Sequence, residues 1–442
     1  MNVAPLAEMV VGMVGDRAEA QVTVDGTHQG LTRFANSFIH QNVAESGRTV
    51  QLKVAVEGKV AAATTTRGDE EGLRTLVEET IHAAHLRPTD ADWPGLAPPA
   101  KAMGAGHFDV GTARATPVER ATRARDFITA GQGSLAAGYC DTDGGPVAFA
   151  NSAGQSLETS ISRATLDGIH QIGTAAGAGH ATAAALSEIE GAPVGAMAAK
   201  TARAAADPGE LEPAAYEVVL SPECVATMMY FLAFYGWNAK QHDEGQSFVA
   251  LGEDQFDSRV TIVDDFLDPL SVGPSFDADG TPKRALTLVE AGVSRSLAHD
   301  RRTSVKAGAA STGHAIHGGD LYGPVPTNLH FRPGSQSQEE LIASVDRGLF
   351  VSAFNYCRIL DPRTQVITGL TRNGTFLIEG GEIAGAVSNL RFTQSIVGAL
   401  ASGKLVGVGS DARLADSEVG PGLVSAPSLH LAEWHFTGGA QG

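Results

Sequence analysis

The sequence predicts an α+β protein, and three observations carry that expectation. Residues 49–56 alternate polar and apolar side chains, break at Glu57-Gly58 and resume over 59–65, which is a hairpin pattern. An amphipathic helix follows, with Asp69 near its start and Leu73, Leu76, Val77 and Ile81 on one face. The β-branched run Val218-Val219-Leu220 then meets Ser221-Pro222-Glu223, a Ser cap with Pro at the first helical position and an acid in the first turn. Strands and helices in successive blocks favour segregated layers over an alternating β-α-β chain.

Taken in order, residues 4–14 suit a short helix, and 20–24 and 32–36 read as strands joined by a turn at Asp25-Gly26. Pro88, Pro94, Pro98 and Pro99 make 86–106 a connecting arm. A helix is predicted from Thr116-Pro117 towards Ala130, with Glu119 in its first turn. Strand-like runs follow at 134–140, 147–151, 156–166 and 169–174. The Ala-rich stretch 180–206 reads as one or two helices interrupted by Gly191 and Pro193. Beyond the predicted helix 222–236, strands are expected at 259–263 and 284–289, and a Gly-rich irregular segment over 307–334. Strong β signals return at 349–356, 365–370 and 375–378, with a turn at Gly380-Gly381, a final helix at 392–400 and a final strand at 428–436.

At 442 residues the chain is long enough for two or three buried cores. Its formal charge of −18 argues against binding phosphate backbones or anionic membranes, which require clustered Lys and Arg. Three Cys, odd in number and far apart, fit a reducing cytoplasm, and the opening residues, with Glu8 inside the apolar segment, predict neither a secretion signal nor a membrane span.

Several stretches together resemble the TldD/PmbA family, in its PmbA (TldE) branch. They are Asn36-Ser37 with Gln41 and Ser46-Gly47-Arg48, TIVDD over 261–265, SFDADGTPKR over 275–284, LVEAG over 288–292 and Ser311-Thr312-Gly313. Asn328-Leu329 with Pro333-Gly334, residues 348–355, and Gly369 with GTFLIEGGEI over 374–383 complete the series. The resemblance implies an N-terminal α/β-layered domain (1–110 with its Pro-rich arm), a central region (111–212) and a larger C-terminal domain of antiparallel sheet (213–442). It also implies a heteromeric metallopeptidase acting on unfolded peptides. In that family a TldD subunit carries zinc on a His-Glu-x-x-x-His helix with a Cys near the C-terminus. Here the helix at 222–236 holds no His and the C-terminal position, GSDAR over 409–413, no Cys. Both departures point to the non-zinc subunit. The expectation is therefore no catalytic residue, metal or cofactor in this chain, zinc in a TldD-like partner, and a homodimer when the chain is alone. The family has also been labelled a modulator of DNA gyrase, and a chain this acidic offers DNA no direct contact surface.

The cleft-lining candidates are His314, His317, Asn328 and His330. His314 and His317, with His299 or His330 and an acid such as Asp320, form an alternative metal set, against a Gly-rich loop with polar side chains. Asp264, Asp265 and Asp268 read either as an acid pair for proton transfer or a cation site, or as a structural loop held by Asx turns. Asp277, Asp279 and Gly280 fail as a calcium loop, because Leu286 falls where the bidentate Glu belongs, and read as a tight turn. His430 and His435 lie on opposite faces of a strand, and Cys357 reads as a buried thiol more than as a nucleophile. An autonomous hydrolase at His314/His317 and a non-enzymatic regulatory homo-oligomer are the rival functions.

Overall fold

The computed structural model describes residues 3–418 and 420–439. One sheet dominates the N-terminal half, in the order β3 (Lys59–Thr65), β2 (Phe38–Val56), β1 (Glu19–Ala35), β4 (Leu135–Asn151), β5 (Ser156–Ile172) and β6 (Ala175–Ala183). All its pairings are antiparallel. Helices α1 (Ala4–Val14) and α2 (Glu70–His85) cover part of it, burying Val10, Leu73 and Val77 against Val22, Leu52 and Val54. Asp69 caps α2 by accepting from the Gly72 N–H at 2.8 Å. After the Pro-rich arm and α3 (Val110–Ala113) come α4 (Pro117–Ala130) and α5 (Gly191–Ala204), which pack Phe127 and Ala198 against Phe34 and Leu166. Thr116 and Glu119 close a reciprocal capping box at the start of α4, as the Thr-Pro-x-Glu pattern predicts.

The C-terminal half holds two further sheets. The first runs β10 (Val293–Ser294), β9 (Leu286–Glu290), β8 (Ile262–Asp264), β11 (Leu329–Phe331), β18 (Gly420–Ala426) and β17 (Arg413–Ser417). The second runs β12 (Arg347–Asp361), β7 (Ala215–Leu220), β19 (Leu429–Gly439), β15 (Leu390–Ser395), β13 (Val366–Glu379) and β14 (Glu382–Ala386), with β16 (Leu405–Val408) on β19. Because β12 pairs with both β7 and β13, five of these strands close into a ring and leave no free edge between them. Phe354 inside the ring lies 4.5 Å from Phe392 and 5.3 Å from Trp434 between ring centroids. Helix α6 (Pro222–Phe231) leaves β7 and buries Val225, Met228 and Met229 in the same core.

Four local expectations are corrected. Asp25-Gly26 is no turn: β1 passes straight through it, and the reversal falls at Asn36-Ser37, whose φ angles of 50° and 62° suit a two-residue hairpin loop. The tight approach here belongs to Gly145 of β4, where an added Cβ would stand 1.7 Å from the Gly26 carbonyl oxygen, whereas a Cβ on Gly26 would meet the Pro146 and Val3 side chains at 3.3 Å. The separate runs at 134–140 and 147–151, and at 156–166 and 169–174, are single long strands, as are 365–370 and 375–378. The Ala-rich stretch starts as strand β6, not helix. Gly177 and Gly179 there let α5 lie within 2.2 and 2.5 Å of where Cβ atoms would be, and Gly191 and Pro193 open α5 instead of interrupting it. Residues 392–395 finish strand β15 with Phe392 opposite Gly369, and one helical turn follows at Ile396–Ala399.

Gly145→Ala should drive a methyl into the Gly26 carbonyl and force β1 and β4 apart. The expected cost is about 1–3 kcal/mol, seen as a lower melting temperature with an unchanged far-ultraviolet spectrum; an unshifted melt would contradict the close approach.

Candidate functional site

A cavity of about 320 Å³ opens where the N-terminal sheet meets the β8–β11 region. Its volume is in the range of small-ligand pockets. One wall is Asp143 of β4 and Ile161, Ser162 and Arg163 of β5. The other is built from Val272, Pro274, Phe276 and Asp277, Lys283, the 314–317 segment, Val325 and Thr327. Apolar atoms make up most of the exposed cavity surface, although polar and charged residues contribute about half of the lining side chains.

The second wall is held by buried polar contacts. Asp264, at the end of β8, is 1 % exposed. Its Oδ2 accepts the Asn328 backbone N–H at 2.7 Å, and its Oδ1 lies 3.1 Å from His314 Nε2 without the alignment of a full hydrogen bond. His314 Nδ1 is 2.7 Å from Thr312 Oγ1. Lys283 donates to Thr327 Oγ1 at 3.0 Å and to Asn328 Oδ1 at 2.9 Å, and Asn328 Nδ2 donates to the Val272 carbonyl at 2.8 Å. Burial pushes the Asp264 carboxyl up, but His314, Lys283 and the Asn328 N–H together hold it below the usual range. Burial likewise lowers the Lys283 ammonium, opposed by Asp264 and Asp277.

Asp277 is a buried turn carboxylate. Its Oδ1 accepts the N–H groups of Asp279 and Thr281, its Oδ2 that of Ala315, and Gly280 takes a φ of 74° in the same turn. The tight-turn reading of this segment therefore describes the structure. Burial, reinforced by Asp279, raises Asp277 to about 7. Asp265 and Asp268 also act as turn residues, accepting from the Leu267 and Leu270 N–H groups.

The structure separates the four predicted cleft residues. His314 and His317 line the cavity, whereas Asn328 and His330 stand behind its wall, 2 % and 3 % exposed. His330 Nε2 is 2.8 Å from Ser271 Oγ and its Nδ1 is 3.7 Å from Asp268. His314 and His317 also part company. His314 turns inward to Asp264, while His317 is exposed at the mouth, where surrounding protein lowers its pKa and Asp25 of β1 acts in the opposite sense. Asp320 lies 3.8 Å from Lys53 and 3.7 Å from Arg302. His430 and His435 engage different partners, Glu217 and Gln394. Cys357 is buried, and burial with Glu418 nearby pushes its thiol well up.

Helix α6, where the family resemblance places paired zinc imidazoles, does not fit that metal. It offers Glu223, bound at 2.7 Å to Arg413, and Cys224, whose fully buried thiol donates to the Val351 carbonyl. Among the described residues, one group of three has metal-ligand spacing: Asp167 of β5, His180 of β6 and Asp416 of β17, with ligand atoms all within 4.8 Å of one another. Burial lifts Asp416 to about 6, with His180 opposing and Asp167 and Glu223 adding to the shift. Sequence reading missed this group because His180 was placed in a helix. It also missed Arg163 and Lys283, whose signal, polar residues in otherwise apolar or turn segments, is too common to single them out.

Fold and site together define an α+β protein with a cleft between a long antiparallel sheet and a sheet-rich C-terminal half. Residues 213–438 match the PmbA/TldA metallopeptidase C-terminal domain, and the chain belongs to the PmbA/TldD family. It is 29 % identical over 220 residues to a metalloprotease from Methanothermobacter thermautotrophicus, an alignment covering 48 % of this chain and 46 % of that one. Two solved structures share the fold over 99 % of this chain and the whole of theirs: TldE from Thermococcus kodakarensis, at 17 % identity and a TM-score of 0.85, and a proposed modulator of a DNA gyrase from Thermotoga maritima, at 18 % and 0.84. The α+β class and antiparallel sheets expected from sequence are those observed, apart from the parallel pairs β7–β12 and β11–β18. Among the described residues no helix is long and apolar enough to cross a membrane.

The Asp277 carboxyl keeps its proton in the folded chain up to about pH 7, whereas the unfolded chain ionises near 3.8. Its contribution is fully present below pH 4 and is lost as pH rises towards 7. Asp277→Asn keeps an oxygen for the Asp279 and Thr281 N–H groups but cannot ionise. Its melting temperature relative to wild type should therefore rise between pH 5 and pH 8; a pH-independent difference would refute the buried, protonated carboxyl.

Proposed function

We propose that this chain is the TldE-type, non-zinc subunit of a cytoplasmic TldD/TldE-type peptidase, and that it supplies one wall of the cleft that receives an unfolded peptide. The observation that carries this reading is helix α6: no imidazole lies on it, its thiol is buried and its acid is held by Arg413. Catalytic zinc and its general base are then the task of a TldD-like partner, and no step of hydrolysis is assigned to residues of this chain. Three buried free thiols, Cys140, Cys224 and Cys357, suit the reducing compartment.

The 314–317 segment and Arg163 suit peptide binding for a physical reason. An unfolded peptide offers backbone amides and varied side chains, so a cleft that takes many sequences needs apolar surface and a few polar groups near the backbone. Ile316, Val325 and Phe276 supply the surface; His317, Arg163 and Ser162 supply polar groups on both walls. Deleting 307–334 is no test of this role, because the segment includes core strand β11 and the buried His314 and Asn328. A point change at exposed His317 is.

Purified alone, the chain should leave a fluorogenic unstructured peptide intact. Mixed with the TldD-like protein of its own genome, it should form a heteromer that cleaves the peptide and stops on chelation. In that heteromer His317→Ala should raise KM severalfold with little change in kcat, as expected for lost ground-state binding. Turnover by the isolated chain would favour the autonomous-hydrolase reading, and a chain that binds no such partner would favour a homo-oligomeric regulator.

A further inference from the structure

Three strands place Tyr139, Asp167 and His180 in one row, since Tyr139 of β4 pairs with Asp167 of β5 and Asp167 pairs with His180 of β6. Side chains so opposed share one face of the sheet. Asp416 reaches this row from β17, which belongs to the C-terminal β8–β11 sheet. The His180 side chain is 3 % exposed; its Nδ1 lies 3.1 Å from Asp167 Oδ2 and its Nε2 3.0 Å from Thr182 Oγ1. Asp167 and Asp416 are only partly exposed, and Glu223 adds a third acid to the field at Asp416. The cation nearest in sequence to Asp416, Arg413, is taken by Glu223 at 2.7 Å and Asp411 at 3.9 Å. Two carboxylates and one buried imidazole therefore converge from separate halves of the chain.

We propose that Asp167, His180 and Asp416 form a binding site for one divalent first-row transition ion, Zn²⁺ or Mn²⁺, that joins the N-terminal sheet to the C-terminal half. Mixed carboxylate and imidazole donors suit these ions, whereas Ca²⁺ and Mg²⁺ prefer oxygen-only sets. Ligand atoms within 4.8 Å of one another need only small inward movements to reach the separations set by bonds of about 2.0–2.2 Å. The ion would balance carboxylates that otherwise repel across the junction. It would also act on the cleft: Arg163 in the cavity wall and Asp167 lie four residues apart on β5, hence on the same face, and β17 shares its sheet with β8 and β11 behind the opposite wall. The site departs from the sequence-based expectation of a metal-free chain.

The test is titration of the chelator-treated full chain with ZnCl₂ and with MnCl₂ by calorimetry, with melting curves alongside. One ion per chain and a higher melting temperature with metal are expected. His180→Gln should weaken binding at least about tenfold. Asp167→Asn/Asp416→Asn should abolish both binding and the metal-induced shift while melting no lower than the metal-free wild type, because it removes like-charge repulsion. Wild type that takes up neither ion would overturn the proposal. So would unchanged uptake in the double variant or in His180→Gln.

Discussion

Asp264 is a buried carboxylate on which segments far apart in sequence meet. His314 comes from the Gly-rich segment and Asn328 from the entry to β11, while Lys283, after the Asp277 turn, holds Asn328 and adds its charge to the field at Asp264. An isolated charge in this position would cost several kcal/mol, so the carboxylate is tolerable only while all three neighbours are in place. Their mutual dependence turns an irregular stretch into a fixed wall. Thr327, bound by Lys283, and Ala315, bound by Asp277, are thereby placed on the cavity. The cleft keeps its shape although few of its lining residues belong to regular secondary structure.

The same economy runs through the fold. Long strands β1, β2, β4 and β5 give the N-terminal half a continuous surface, and the β12-β7-β19-β15-β13 ring gives the C-terminal half a core around Phe354, Phe392 and Trp434. Neither half encloses the cavity alone. Its walls come from β4 and β5 on one side and from the 272–283 and 314–327 segments on the other, so the relative placement of the halves sets its width. In the proposed assembly this chain is a shaped surface presented to a partner's metal, and precision at the junction matters more than reactive groups.

What the sequence made legible follows from how local each signal is. Caps announce themselves: Asp69, Thr116 with Glu119, and Ser221-Pro222 mark helix starts that the structure reproduces at Glu70, Pro117 and Pro222. Glycines mislead when their reason is a neighbour from elsewhere in the chain. Gly145 lets the Gly26 carbonyl approach inside a paired strand although Asp25-Gly26 imitates a turn, and Gly177 and Gly179 make room for α5 on a strand whose last residues, from His180, imitate a helix. At the candidate site, the Asp277 turn could be read from its own spacing. That His314 faces Asp264 while His317 turns towards β1 could not, nor could the meeting of Asp167, His180 and Asp416, because strand register and the packing of two halves decide them.

The most direct measurement is photo-crosslinking of an unstructured peptide carrying a photoreactive side chain to the heteromer formed with a TldD-like partner, followed by mapping of the attachment sites. Crosslinks on this chain at 314–317 and 161–163 are the predicted result, together with crosslinks on the partner. Peptide attached to the partner alone, or to a face of this chain remote from the cavity, would contradict the account.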